Sequence, residues 1–445
     1  MTRETRALIE RASPILREAA KKTSLLGAIA WPVEVEERFF AAKAARLPDP
    51  KYEIDRATIE ARLETLRELE RSIAVNDEIT GWLARTTHSF IDGNRLLLAL
   101  GTREFHLISK ELYGGASTAS WEEGTKNIVL AEHILSRLEA QGWDETTDVQ
   151  GDPWSDERFA EALRKRVSER VPRMEIEVIV DARCTAKIQA GRTRVRIRKG
   201  AEFYPWELDN LWSHEVETHS LCAQNGIVQP LAPFLSAGGP RSTRTQEGLA
   251  TFAELYDHDL GINRMRQLAH RVKLVALAES GADFLELYRY ALDRGSTERE
   301  AYLDAQRVCR GGLVGGGAPF TKDVCYLAGL LDVYTFLAYV VRAGNRDEAE
   351  MLVCGRVALE DMPALVELRH LQLLDRPRYL PAWLANWRGL LPYFAFTSFV
   401  GSLDLGPVES KFARVLELAR RASGEAGVAN PAPRDREPPS ETYDE

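Results

Sequence analysis

His214 and His219 stand five residues apart in LWSHEVETHSL, and Pro205 sits where a helix carrying both can begin. No other feature of the chain constrains its folding as tightly. In a regular α-helix, at about 3.6 residues per turn, positions four apart differ by about 40° around the axis and positions five apart by about 140°. The two imidazoles therefore point apart unless the helix widens by one residue, and such π-type widenings recur at functional sites. Either the helix bulges around Val216 to Thr218, or the histidines are ordinary helix surface with Glu215 and His219 as an i,i+4 pair.

The first alternative has a chemistry. A catalytic zinc takes about three protein ligands and keeps one position for water, preferring imidazole and carboxylate. A neighbouring carboxylate that is not a ligand can take the proton of that water, whose pKa the metal lowers towards about 7. The candidate third ligand is Glu247 in RTQEGLATFAELYDHD, on a following helix with Thr245 as cap and Glu247 in its first turn. Gly248 and Ala250 would let this helix approach the histidine-bearing one closely. Thr251 and Glu254 fall one and two turns beyond Glu247 on the same face, placed to orient ligands from behind. The alternative for Glu247 is an acidic residue that merely favours a helix N-terminus.

Periodicity places these residues in a mostly helical frame. Residues 1–50 read as a helix and an irregular arm, and residues 51–172 as a helical subdomain in which Ile59, Leu63, Leu66 and Leu69 recur at helical steps. At Met174–Val180 and Thr193–Ile197 the pattern alternates, with a short mixed stretch over Cys184–Gln189. This reads as an antiparallel sheet with a turn at Ala190-Gly191. Helices are expected over 245–258, 264–294, 297–308, 322–342, 346–356 and 360–370. A core from 173 to 423 is expected to end in a helix at about 407–422, before a disordered tail over 424–445. The fold class is α+β, predominantly helical, with a small antiparallel sheet packed beside a zincin-like active-site helix.

Composition narrows the function classes. A net charge of −9 over 445 residues gives no footprint for nucleic acid or an anionic membrane. Five cysteines without CxxC spacing fit reduced thiols. The N-terminus lacks the apolar stretch of a secretory signal, and the apolar run Cys325–Val341 carries Asp332 near its middle, so a buried helix is expected there. A soluble, cytoplasmic protein is expected, with neither a nucleic acid nor a membrane as partner. His88, His106, His133, His258, His270 and His370 stand without a clustered second donor and read as surface or core residues.

HEVETH followed by TQEGLA resembles the QEGLA-motif family of metallopeptidases. That family includes bacterial proteins labelled as modulators of flavohaemoglobin expression and the animal microtubule-associated tyrosine carboxypeptidases. PFTKDVCYLAGLL (319–331) and ELYGG (111–115) are similar to further family segments, and about 30 to 385 is alignable. The departure is Val216-Glu217 where the family commonly has Ile-Gly, which places an acidic side chain inside the expected bulge. The resemblance implies His214, His219 and Glu247 as zinc ligands and Glu215 as general base. It implies a zinc-dependent peptidase, carboxypeptidase-like, acting on a peptide or protein C-terminus. The alternative is a regulatory or scaffold protein that keeps a zinc site with little hydrolysis.

A substrate peptide is expected along an edge strand at Thr193–Lys199 by strand addition. A terminal carboxylate needs a cation, for which Arg194, Arg196, Arg310 and Lys322 are candidates. Arg194 and Arg196 read equally well as the solvated face of their strand, and Tyr326 as either an oxyanion donor or a buried structural tyrosine. The glycine-rich stretch 311–317 reads as a mobile flap beside the cleft and matches no phosphate-binding signature.

Overall fold

Ile59, Leu63, Leu66 and Leu69 form the buried face of a helix over Arg56–Arg71 in a computed structural model of the chain. Asp55 starts that helix, its carboxylate accepting the Thr58 N–H. The next helix, Glu78–Leu98, packs against it and begins with a capping box between Asp77 and Thr80. The structure describes residues 3–22, 25–119, 124–140, 152–182, 184 and 186–400. Those up to Leu391 belong to one compact unit, and the expected breaks near residues 50 and 172 fall inside it. Pro392–Val400, the end of a helix that begins at Trp387, belongs to a second unit. The helix expected at 407–422 and the tail 424–445 lie outside the described residues.

Three short strands make the sheet: β1 (Glu177–Asp181), β2 (Ile188–Ala190) and β3 (Arg194–Arg198), in the order β1-β3-β2. The expected turn at Ala190-Gly191 is present, closed by the Gly191 N–H on the Arg194 carbonyl, and β2 and β3 are antiparallel. β1 instead lies parallel to β3, Val178 opposite Val195, so the sheet is mixed rather than antiparallel. Alternation reports which side chains share a face and is silent on strand direction and order. β3 is consequently the central strand, and both its ladders are filled. The edge strand expected at Thr193–Lys199 is therefore corrected: the edges are β1 and β2.

The sheet buries Val178, Ile188, Val195 and Ile197 against Phe159, Leu163 and Val167 of a helix over Asp156–Arg170. Trp212 and Val216 join the same core. They come from the histidine helix, a continuous rod of α-helix at Glu207–Leu211, π-helix at Trp212–Ser220 and α-helix again at Leu221–Ile227.

The QEGLA helix runs over Thr243–Tyr256. It packs against the histidine helix, as expected, and still more closely against the apolar helix Cys325–Arg342, which Gly248 faces. A Cβ on Gly248 would stand 2.2 Å from the Gly329 carbonyl oxygen, and one on Gly329 would stand 2.1 Å from the Arg244 carbonyl oxygen. Only glycine fits at both points. Thr245 is not the cap either: the helix starts two residues earlier, Thr245 accepts the Leu359 N–H at 2.8 Å, and Glu247 lies beyond the first turn.

By length and composition, among the described residues one helix could cross a membrane, Lys322–Arg342, yet 61% of its apolar window is buried inside the protein. Asp332 within it pairs with Arg244 at 2.5 Å. The helix expected over 264–294 is two, Ile262–Glu279 and Phe284–Leu292. Gly281 at φ 109° breaks the first, and Asp283 with Glu286 caps the second. The glycine-rich stretch is stitched down rather than free: Gly101 N–H binds the Gly311 carbonyl, Gly311 N–H the Tyr52 hydroxyl, and Gly317 N–H the Ala278 carbonyl.

Candidate metal centre

The π-stretch brings residues five apart onto one face, because its ladder closes i to i+5. Its nine residues exceed the single-turn bulge that the histidine spacing requires. The rings of His214 and His219 stand 5.0 Å apart between centroids and 80° to each other. Thr218 steadies the widened turn by donating its hydroxyl to the Ser213 carbonyl at 2.9 Å. At its end Ser220 donates to the Gly191 carbonyl, and beyond it the Gln224 amide donates to the carbonyls of Glu175 and Arg192, so the helix is fastened to the β2–β3 hairpin.

Glu247 enters from the QEGLA helix. Its Oε2 lies 3.6 Å from His214 Nε2 and 3.8 Å from His219 Nε2, too far for hydrogen bonds. That oxygen is buried with no hydrogen-bond partner. The donor atoms of His214, His219 and Glu247 all fall within 4.8 Å of one another, the one such group among the described residues. Ligands held about 2.0–2.1 Å from a tetrahedral zinc stand about 3.4 Å apart, and two imidazoles with a carboxylate are a zinc donor set. An unpartnered carboxylate oxygen between two imidazoles is what a cation would satisfy. The residues fit the metal.

Each of the three side chains has support behind it. Glu254, fully buried, takes the Nδ1 side of His214 at 2.5 Å, which turns Nε2 towards Glu247. Arg264 holds Glu254 in turn, Nε to Oε2 at 3.2 Å. Lys322 Nζ binds Glu247 Oε1 at 2.8 Å and leaves Oε2 to face the imidazoles. The Thr251 hydroxyl donates to the Glu247 backbone carbonyl at 2.8 Å. Arg356 donates to the His219 backbone carbonyl at 3.3 Å.

Burial and neighbouring charges pull against each other at every titratable group of the cluster. Burial works to lower the His214 pKa, but the carboxylates of Glu247, Glu254 and Glu215 prevail and raise it to about 10. Burial and the His214 charge push His219 down to about 3. Glu247 is held well below the carboxylate range although burial opposes it, because Lys322 and both histidines act on it. Burial opposes ionisation of Glu254 too, yet Arg264 and His214 bring it to about 2. Glu215 differs. Burial raises its pKa, and its Oε2 accepts the Ala190 N–H of β2 at 2.9 Å. Glu217, inside the widened stretch, is buried, and burial with the Asp257 charge raises its pKa.

The cations proposed for a substrate carboxylate divide. Arg194 is paired with Glu177 at 2.7 Å and Arg196 faces Asp181 at 3.6 Å, both on the sheet, and neither is among the principal charges acting on the ligand cluster. Lys322 belongs to the cluster itself. Tyr326 presents its ring to Lys322, Arg271 and Arg264. Arg310 lies over Phe320, 5.9 Å from the ring centroid. Arg264, Arg271 and Arg356 are absent from the sequence reading. No motif marks them, and only the tertiary packing brings their distant segments to the site. A family model described as microtubule-associated tyrosine carboxypeptidase matches residues 37–402. No curated protein matches the chain.

Proposed function

The chain belongs to the microtubule-associated tyrosine carboxypeptidase family, and from that premise we propose that it is a zinc-dependent carboxypeptidase acting on peptide or protein C-termini. The observation that carries the reading is the unpartnered Glu247 Oε2 set between two imidazoles, with Glu215 beside them. His214, His219 and Glu247 would hold the ion, which when bound polarises the scissile carbonyl and lowers the pKa of water towards about 7.

The chain's own groups do the rest. Glu254 fixes the His214 ring and Lys322 fixes the Glu247 carboxylate. Glu215 accepts the proton of the attacking water on its carboxylate and returns it to the leaving amine nitrogen. Its burial-raised pKa suits both transfers, and the Ala190 N–H keeps the group aimed. A peptide would lie along the open side of β2, whose other side pairs with β3. Five buried thiols without disulfides support a reducing, cytoplasmic setting.

The test is metal content and cleavage of free-acid peptides, a C-terminal tyrosine first. Purified wild type should carry one zinc and release the terminal residue. Glu215→Gln should keep zinc and lose about 10²–10⁴-fold in kcat. Wild type that holds zinc and cleaves nothing in a broad library would replace this reading with the scaffold one. Protein that binds no zinc would end both.

A further inference from the structure

His214, His219 and Glu247 are not held alike. Glu254 takes the Nδ1 side of the His214 ring, and Lys322 takes Oε1 of Glu247. Among the described residues no hydrogen bond reaches the His219 ring, and Glu247 Oε2 stands 3.8 Å from its Nε2. Its direction is therefore set by packing and by the backbone that carries it. His219 lies in the last turn of the widened stretch, and regular helix resumes at Leu221. Where i+5 pairing gives way to i+4 pairing the ladder skips one carbonyl, which must find a donor elsewhere. In that turn the His219 carbonyl accepts from the Arg356 guanidinium at 3.3 Å.

The segment bearing Arg356 is packed directly against the histidine rod. Asn225 on the rod donates to the Val353 carbonyl at 2.7 Å, and Gln229 just beyond it to the Cys354 carbonyl at 3.1 Å. A Cβ on Gly355 would stand 2.6 Å from Leu235 Cβ and 3.4 Å from Gly226 Cα, and one on Gly238, at φ 65°, would stand 2.8 Å from Arg356 Cβ. Glycine at these points makes room for the arginine stem. The Arg356 N–H is fixed in turn on the Leu235 carbonyl at 2.8 Å. Among the described residues the guanidinium has no carboxylate within ion-pair distance, and its Nε is buried without a hydrogen-bond partner. Glu215 and Glu247 act on its charge from beyond that distance. A buried guanidinium so placed is unfavourable, and its one side-chain hydrogen bond goes to the turn that carries His219.

We propose that Arg356 is the positioning residue of His219: by holding the carbonyl of the widened turn it sets where the imidazole points, and so how tightly the site closes on an ion. The proposal rests on the zinc reading of the cluster for the identity of that ion. A competing effect has the opposite sign. A guanidinium close to the site repels a divalent cation, so its removal would tighten binding if charge alone mattered.

The test reads metal binding rather than turnover. Zinc affinity of the full-length protein is measured by chelator competition, and the visible absorption of the cobalt(II)-loaded protein reports the ligand set and its geometry. Arg356→Met should lose about 10–100-fold in zinc affinity and change the cobalt spectrum, while the Tm of the metal-free protein stays close to wild type. Arg356→Lys, which keeps a donor of similar reach together with the charge, should recover most of the loss. Arg356→Gln, too short to reach the carbonyl, takes the place of the methionine variant should that one not fold. Affinity equal to or tighter than wild type would overturn the proposal. So would a loss with the wild-type cobalt spectrum, a loss accompanied by a large drop in metal-free Tm, or a loss that Arg356→Lys does not reduce. Wild type that takes up neither zinc nor cobalt would end the zinc reading itself, and the proposal with it.

Discussion

The histidine helix and the QEGLA helix bring His214, His219 and Glu247 together by opposite means. The first abandons regular geometry over nine residues and is held in that state by hydrogen bonds from Thr218, Ser220 and Gln224. The second is a regular helix, in which a seven-residue interval puts Glu247 and Glu254 on one face and a glycine contact fixes its distance from the apolar helix. Distortion needs polar restraints around it. Regularity needs only close packing. The difference teaches where each helix is vulnerable: the QEGLA helix to added volume, the histidine helix to lost hydrogen bonds.

The largest expected effect tests the packed side. Gly248→Ala puts a methyl against the Gly329 backbone, which cannot move like a side-chain end. It should destabilise the fold by about 3 kcal/mol and lower Tm by about 6–10 °C in a thermal melt. An unchanged Tm would remove glycine packing from the account.

Next comes the link between the two helices. Glu254→Gln leaves the shape but removes the charge that orients His214 and pairs with Arg264. Zinc affinity, measured by competition with a chelator, should fall about 10–100-fold while Tm of the metal-free protein changes little. A large drop in that Tm with affinity preserved would make Glu254 a structural residue instead.

On the distorted side, Thr218→Val leaves the buried Ser213 carbonyl without its partner. A loss of about 1.5 kcal/mol is expected in denaturant unfolding. Stability equal to wild type would show that the π-stretch holds itself.

The smallest effect concerns pH. Asp259, whose Oδ2 lies 3.4 Å from the Ser213 hydroxyl, is raised to about 6 by burial and by Asp209 and Asp257. The folded state therefore binds this proton more tightly than the unfolded chain. Its stabilising effect is full in acid below the unfolded pKa and is lost as pH rises through about 6. Asp259→Asn should gain about 1 kcal/mol over wild type at pH 7, after allowing for solvent screening, and nothing at pH 4. A constant difference across that range would contradict the assignment.

Local rules made part of this legible. The five-residue histidine interval admits a common face only through a widened helix, and Glu254 follows Glu247 at a same-face interval, so both are readable from spacing. Asp283 and Glu286 form a capping box that the 264–294 reading passed over, although the pattern stood in the sequence. Other features are not local at all. Strand direction in the sheet depends on where β1 docks, Gly248 meets Gly329 across 81 positions, and Arg271 joins Lys322 only after folding. Period and composition report faces and turns, and they carry no information on which distant faces meet.

The widened stretch has regular helix on both sides, and that bears on how such chains change length. An extra residue between two histidines would rotate everything downstream if it were wound into an ordinary helix. Here it is taken up on the spot, as slack in a screw thread, so Asn225 still reaches the carbonyls of Val353 and Tyr379. Insertion and deletion at this position are thereby separated from the packing that follows, and a lineage can alter the interval without rebuilding the rest of its interior.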